Sequence, residues 1–227
     1  MMDPPPLRVL YEDNHLLVVD KPAGLPTMGT TGDRPTLLSV AKEYVKRRYN
    51  KPGNVYLGVV SRLDAPVTGV VLLARTSKAA RRMTEQFRGR SVEKTYWAIV
   101  EGKVDPASGQ CIDWLGHDER HRRMHIVGPT FPGAKEARLS YRRLQILDGN
   151  SLLEVMLETG RKHQIRLQLA NSGHPILGDR KYRSCVVWPA GIALHARQLV
   201  ITHPIQGESL TFSAPLPTAW AALGVRK

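Results

Sequence analysis

The hydrophobic positions of the chain fall into short runs with the period of strands, broken by a few longer stretches with the period of helices. "LRVLYEDNHLLVVDKPAG" predicts a strand, a turn at Glu12 to Asn14, a second strand, and an exit at Lys21-Pro22 into a loop rich in Gly, Thr and Pro. In "PTLLSVAKEYVKRRYN" the residues Leu37, Leu38, Ala41, Tyr44 and Val45 share one helical stripe, with Lys42, Lys46 and Arg47 elsewhere. "SKAARRMTEQFRG" repeats the pattern with Ala80, Met83 and Phe87, Ser77 as the expected cap and Gly89 as the stop. "VYLGVV" and "VVLLA" read as buried strands joined by the loop "SRLDAPVTG". Further strands are expected at "VEKTYWAIVEG", "EARLSYRRLQIL", "SLLEVMLE", "LHARQLVITHP" and "SLTFSAP". Strands outnumber helices and several are closely spaced, so the expected class is α+β with a mixed, mostly antiparallel sheet flanked by helices.

A chain of 227 residues, 42% hydrophobic, can bury a substantial core, and a single domain over residues 1–227 is expected, with 105–133 as a possible insertion within it. "HPILGD" at His174 and "HPIQGE" at His203 echo each other and read as turns. Charge narrows the partner: 33 Lys and Arg against 20 Asp and Glu give a formal net charge of +13, which favours a polyanion, nucleic acid first. No apolar run approaches the roughly 18 to 20 residues that span a bilayer, and "MMDPPPLRVL" lacks the regions of a signal peptide, so a cytoplasmic protein without a membrane partner is expected. Cys111 and Cys185 are far apart without metal-like spacing and are expected to be reduced thiols.

Three segments carry candidate chemistry. Asp64 sits on a loop between two core strands, where it is either a turn aspartate, paired locally with Arg62 or bonded to backbone, or a carboxylate kept ionised in a cleft by a nearby cation. "LETGRKHQIRLQLANSGHPILGD" predicts a strand, a Thr159-Gly160 turn and a helix of about three turns closed by Gly173. On that helix Lys162 and Arg166 stand one turn apart, off the stripe of Ile165 and Leu169, so Arg166 can face a neighbouring loop while Arg161 and Lys162 face an anionic ligand. "HDERHRRMH" spaces His117, His121 and His125 four apart, but Asp118 stands where a zinc helix needs Glu, and a basic RNA-facing strand or loop with Arg120, Arg122 and Arg123 is expected instead.

Taken together, "YEDNHLLVVDKPAGLPT", "SRLDAPVTGVVLLART", "EKTYWAIVEG" and "TGRKHQIRLQLANSGHPILGD", followed by "LHARQLVITHP", resemble the motifs of the RluA-like family of pseudouridine synthases, in family order over residues 9 to 215. The resemblance implies the pseudouridine synthase fold, with a central cleft that binds RNA, and the isomerisation of uridine to pseudouridine in ribosomal or transfer RNA. It implies Asp64 as the essential carboxylate, Tyr96 against the uracil ring and Arg166 paired with Asp64. Arg62, Arg161, Lys162 and His163 are the expected RNA contacts.

The roles suit the chemistry. Uracil leaves the ribose at N1, turns, and rejoins through C5 with no net redox change and no hydrolysis, so neither cofactor nor metal is expected. A carboxylate can serve as nucleophile on ribose or base, or as the base that starts an elimination. An aromatic ring can hold the detached base, and a hydroxyl can assist proton removal from C5. A uridine in folded RNA must be flipped out to be reached. The chain departs from the family with Ser61 in place of His and Val67-Thr68 in place of Thr-Ser. A monomer is expected, without a separate amino-terminal RNA-binding domain. Two other classes stand beside this reading: a noncatalytic RNA-binding protein on the same scaffold, and a metal-dependent hydrolase built on the histidine segment.

Overall fold

The computed structural model describes residues 6–29, 34–118 and 123–225. Its chain forms two compact units, one of Met1–Val92 with Ala196–Pro215, the other of Glu93–His195 with Leu216–Lys227.

The first unit begins with strands β1 (Arg8–Glu12) and β2 (Leu16–Lys21), paired antiparallel as expected. Asp13 makes their turn, its carboxylate accepting from the His15 and Leu16 N–H groups at 2.7 and 2.6 Å. Helix α1 (Leu37–Arg48) follows, with Thr36 and Ser39 forming a capping box and Leu37, Ala41 and Val45 buried on the expected stripe. Strand β3 is only Gly58–Val59, β4 is Thr68–Ala74, and the two pair antiparallel. Helix α2 (Ser77–Arg88) starts one residue earlier than the expected cap implies: Thr76 is extended and its Oγ1 accepts from the Ala79 N–H at 3.1 Å, leaving Ser77 as the first helical residue.

The unbroken apolar run of β2 has a direct explanation: both of its faces are covered. Leu16 and Val18 join Val70, Leu72 and Met83 of α2 in one cluster, while Leu17 and Val19 join Val71, Leu73 and the α1 residues Leu37 and Val45 in another. Each such side chain, taken fully out of water, contributes roughly 1.5–3 kcal/mol.

The second unit holds β5 (Glu93–Val100), β6 (Ser108–Asp118), β7 (Arg123–Val127), β8 (Lys135–Leu147) and β9 (Asn150–Leu157) in the order β5-β9-β8-β6-β7, with every adjacent pair antiparallel. The stretch 105–133 thus contributes β6 and β7, which continue the sheet outward from β8. Helix α3 (Gln164–Asn171) lays Leu167 against Leu115, Ala137 and Tyr182. The chain returns through β10 (Leu194–Thr202) to β11 (Ser209–Ser213), which pair antiparallel. In the first unit the strand order is β1-β2-β4-β10, with β11 on β10 and β3 on β4. A last short helix, α4 (Thr218–Ala221), buries Trp220 in the second unit. Cys111 is buried, Cys185 is exposed, and both are free thiols. Among the described residues no helix is long and apolar enough to cross a membrane.

Candidate active site

Asp64 lies in the irregular segment between β3 and β4, half-buried, and the backbone on both sides of it is held by one stretch, Lys21 to Thr27. On one side Thr27 Oγ1 donates to the Leu63 carbonyl at 2.8 Å and accepts from the Leu63 N–H at 3.1 Å. On the other the Ala65 carbonyl accepts from the Gly24 N–H at 2.8 Å and from Lys21 Nζ at 3.1 Å. A turn closes between them, the Val67 N–H donating to the Asp64 carbonyl at 3.0 Å. Ser61, the departure from the family's His, ties the base of the loop to β4 by accepting from the Leu72 N–H at 3.0 Å. Gly69, the second residue of β4, has φ +111, and an added Cβ there would lie 2.3 Å from the Ala196 carbonyl oxygen, so only glycine fits. Arg62 is exposed on the same loop.

Lys21 was expected only as the end of a strand, yet it is fully buried. Its ammonium donates to the carbonyls of Pro22 and Leu25, both at 2.8 Å, as well as to Ala65. Burial pushes its pKa from 10.5 down to about 7, against the opposing pull of the Asp64 and Asp20 charges. Lys21 is thus tied to the Asp64 loop through the Ala65 carbonyl and coupled electrostatically to Asp64 itself.

The remaining predicted residues belong to the second unit. Tyr96 is half-buried on β5, paired in register with Val155 of β9, and shares its strand face with Lys94. The turn after β9 is built by the Gln164 side chain. Its Oε1 accepts from Thr159 Oγ1 at 2.7 Å and from the Arg161 N–H at 3.0 Å, while its Nε2 donates to the Arg138 carbonyl at 3.0 Å. This corrects the expected helix of three turns. His163 is left-handed at φ 56, α3 starts only at Gln164, and its eight residues make about two turns. Arg161 and Lys162 therefore precede the helix, so Lys162 and Arg166 do not stand one turn apart on it as expected. Gly173, at φ +86, closes the helix as expected.

Lys162 is exposed, whereas Arg161 is half-buried with Nε donating to the Glu136 carbonyl at 2.9 Å. His163 and Arg166 are brought together by a residue the sequence reading did not single out: the Tyr182 hydroxyl shares a 2.7 Å hydrogen bond with His163 Nδ1, and the Arg166 guanidinium lies 5.1 Å from the Tyr182 ring centroid. Arg166 also makes a bidentate pair with Asp179, Nε to Oδ2 at 2.6 Å and Nη2 to Oδ1 at 2.8 Å. The available signal for Asp179 was its place at the end of "HPILGD", a turn with a charge left on it.

In the histidine segment His117 and His125 lie on β6 and β7, with Gly116 opposite His125. His121, Arg120 and Arg122 lie outside the described residues. Among the described residues no group of three or more His, Cys, Asp or Glu side chains could hold a metal ion.

Comparison with known proteins supplies an independent line. Residues 15–171 match a family model described as RNA pseudouridylate synthase. The chain is 38% identical, over 96% of its length, to a ribosomal large subunit pseudouridine synthase D from Nitrosomonas europaea, of which it spans 64%. It is 35% identical to a dual-specificity RNA pseudouridine synthase RluA from Haemophilus influenzae, with 92% of this chain and 93% of that one aligned. Among solved structures, human RNA pseudouridylate synthase domain containing 4 superposes with a TM-score of 0.79 at 27% identity, covering 97% of this chain and 94% of that one.

Proposed function

The chain belongs to the RluA-like family of RNA pseudouridine synthases, and from that premise we propose that it isomerises uridine to pseudouridine in a structured ribosomal or transfer RNA. Asp64 is the essential carboxylate, Tyr96 lies against the uracil, and Arg166 is the cationic partner of Asp64. Arg62, Arg161, Lys162 and His163 contact the RNA. The enzyme works as a cytoplasmic monomer without metal or cofactor. The observation that carries this reading is the double clamp on the Asp64 loop, by Thr27 at Leu63 and by Lys21 and Gly24 at Ala65. A turn aspartate of no further consequence would not need both neighbouring peptides fixed from a distant segment and a buried ammonium beside it.

The reaction conserves atoms. The bond from ribose C1′ to uracil N1 breaks and one from C1′ to C5 forms; C5 gives up its proton and N1 gains one. A carboxylate fixed by its backbone meets a flipped uridine without reorganising, which is where a positioned group contributes most. Attack by Asp64 on ribose or base, and proton abstraction that starts an elimination, are both compatible with this placement.

The test is a pseudouridine map of total RNA from cells with and without the gene, complemented by the intact protein or by Asp64→Ala. Sites that vanish on deletion and return only with the intact protein are the expected result. A map unchanged by deletion, in an RNA that the purified protein still binds, would make it a noncatalytic RNA-binding protein.

A further inference from the structure

Asp179 and Tyr182 are both buried against Arg166, and neither has a part in the function proposed above. The Arg166 and Asp179 side chains are 6% and 2% exposed, so their bidentate pair is shielded from water and from salt. Asp179 is carried to its place by a turn that tolerates little else. Gly178 has φ +83, and a Cβ there would lie 2.4 Å from the Trp188 Cβ. The Gly178 N–H donates to Ser184 Oγ at 3.0 Å, and the Asp179 carbonyl accepts from the Tyr182 and Ser184 N–H groups at 2.9 and 3.1 Å. Backbone and side chain of Asp179 are thus both engaged, the latter on Arg166. Tyr182, in the 3-10 turn Arg180–Tyr182, is buried with its ring under the guanidinium and its hydroxyl on His163.

We propose that Asp179 and Tyr182 are positioning residues of the reaction: Asp179 fixes the orientation of the Arg166 guanidinium, and Tyr182 locks His163 to the same platform, so that RNA contact and charge placement share one frame. The inference rests on the roles given above to Arg166 and His163. It separates the two residues by their kinetic effect. Asp179→Asn keeps the shape but turns one acceptor into an amide that faces a guanidinium N–H, forcing Arg166 to rotate. Tyr182→Phe keeps the ring under Arg166 and removes the hydroxyl that bonds His163.

The experiment follows tritium released from uracil C5 in labelled transcripts of large-subunit ribosomal RNA and transfer RNA, with melting temperatures measured beside the kinetics. Asp179→Asn is expected to lower kcat about 100-fold with KM for RNA nearly unchanged, the cost of a misplaced group. Tyr182→Phe is expected to raise KM about tenfold at near-normal kcat, and to add nothing further in a His163→Ala background. A merely structural role would lower the melting temperature and the active fraction without this split. Normal kcat in a folded Asp179→Asn, or lost kcat with normal KM in Tyr182→Phe, overturns the proposal. If Asp179→Asn does not fold, the Tyr182→Phe and His163→Ala pair decides it. Wild type and Arg166→Lys are run alongside: no tritium release by wild type, or full activity in Arg166→Lys, sinks the functional reading itself. Loss in Arg166→Lys with normal kcat in Asp179→Asn sinks this inference alone.

Discussion

An ammonium group with no exposed surface is rare in proteins, because the charged form loses its hydration on burial. Lys21 offsets this with three carbonyl acceptors and two nearby carboxylates, yet its pKa still falls from 10.5 to about 7. Between those values the unfolded chain holds a proton that the folded chain has shed. Stability therefore rises with pH across that window and is flat where both states are protonated, below about 7. The slope contributed by this one group is at most ~1.4 kcal/mol per pH unit. Lys21→Met isolates it. In denaturant titrations from about pH 6 to about pH 9, wild-type stability is expected to climb relative to the variant above neutrality. Parallel pH profiles would show that Lys21 titrates alike in both states. The same substitution strips Pro22 and Leu25 of an observed partner and Ala65 of one of two, so it is also expected to loosen the Asp64 loop.

At the scale of elements, the turn before α3 depends on one amide. Gln164→Ala removes the bonds to Thr159, to the Arg161 N–H and to the Arg138 carbonyl. It is expected to cost roughly 1–3 kcal/mol and to speed hydrogen exchange at the backbone amides of 161–163, while α1 in the other unit keeps its protection. Uniform exchange changes in both units would contradict a local role. This turn also marks where the sequence stops being informative. The propensities of Arg161 to Ala170 suit a helix throughout, and only side-chain bonds reaching Thr159 and Arg138 decide that it begins at Gln164. Strands β2 and β4 and the stripes of α1 and α2 are legible because their burial follows a short period. Strands β6 and β7 are not: Gly109 and Gly116 read as loop signals. In the fold Gly116 makes room, since a Cβ there would lie 2.9 Å from Val127 Cγ1. The candidate site divides in the same way. Asp64, Tyr96 and Arg166 stand within motifs of residue type and spacing, whereas their supports are side chains that meet them only on folding. Thr27 is 36 residues from Leu63, Lys21 is 44 from Ala65, and Asp179 is 13 from Arg166.

The net charge of +13 acts on the scale of the whole molecule. Part of the positive charge is already committed inside the fold: Arg166 to Asp179, Arg75 to Glu12, Lys21 to three carbonyls. What remains exposed, Arg62 and Lys162 among it, can displace counterions from an RNA backbone. Binding measured over a salt series is therefore expected to weaken linearly in log Kd against log salt, whatever the RNA sequence. Arg62→Ala and Lys162→Ala should each reduce the slope by about 1 and weaken binding equally for different RNAs, the signature of a phosphate contact. Arg166→Lys preserves the charge and lies inside the fold, so it should leave the slope unchanged. A loss of slope on changing Arg166, with none on changing Lys162, would mean that the phosphate-facing charge is the buried arginine, and the division between RNA-holding and charge-placing residues would have to be redrawn.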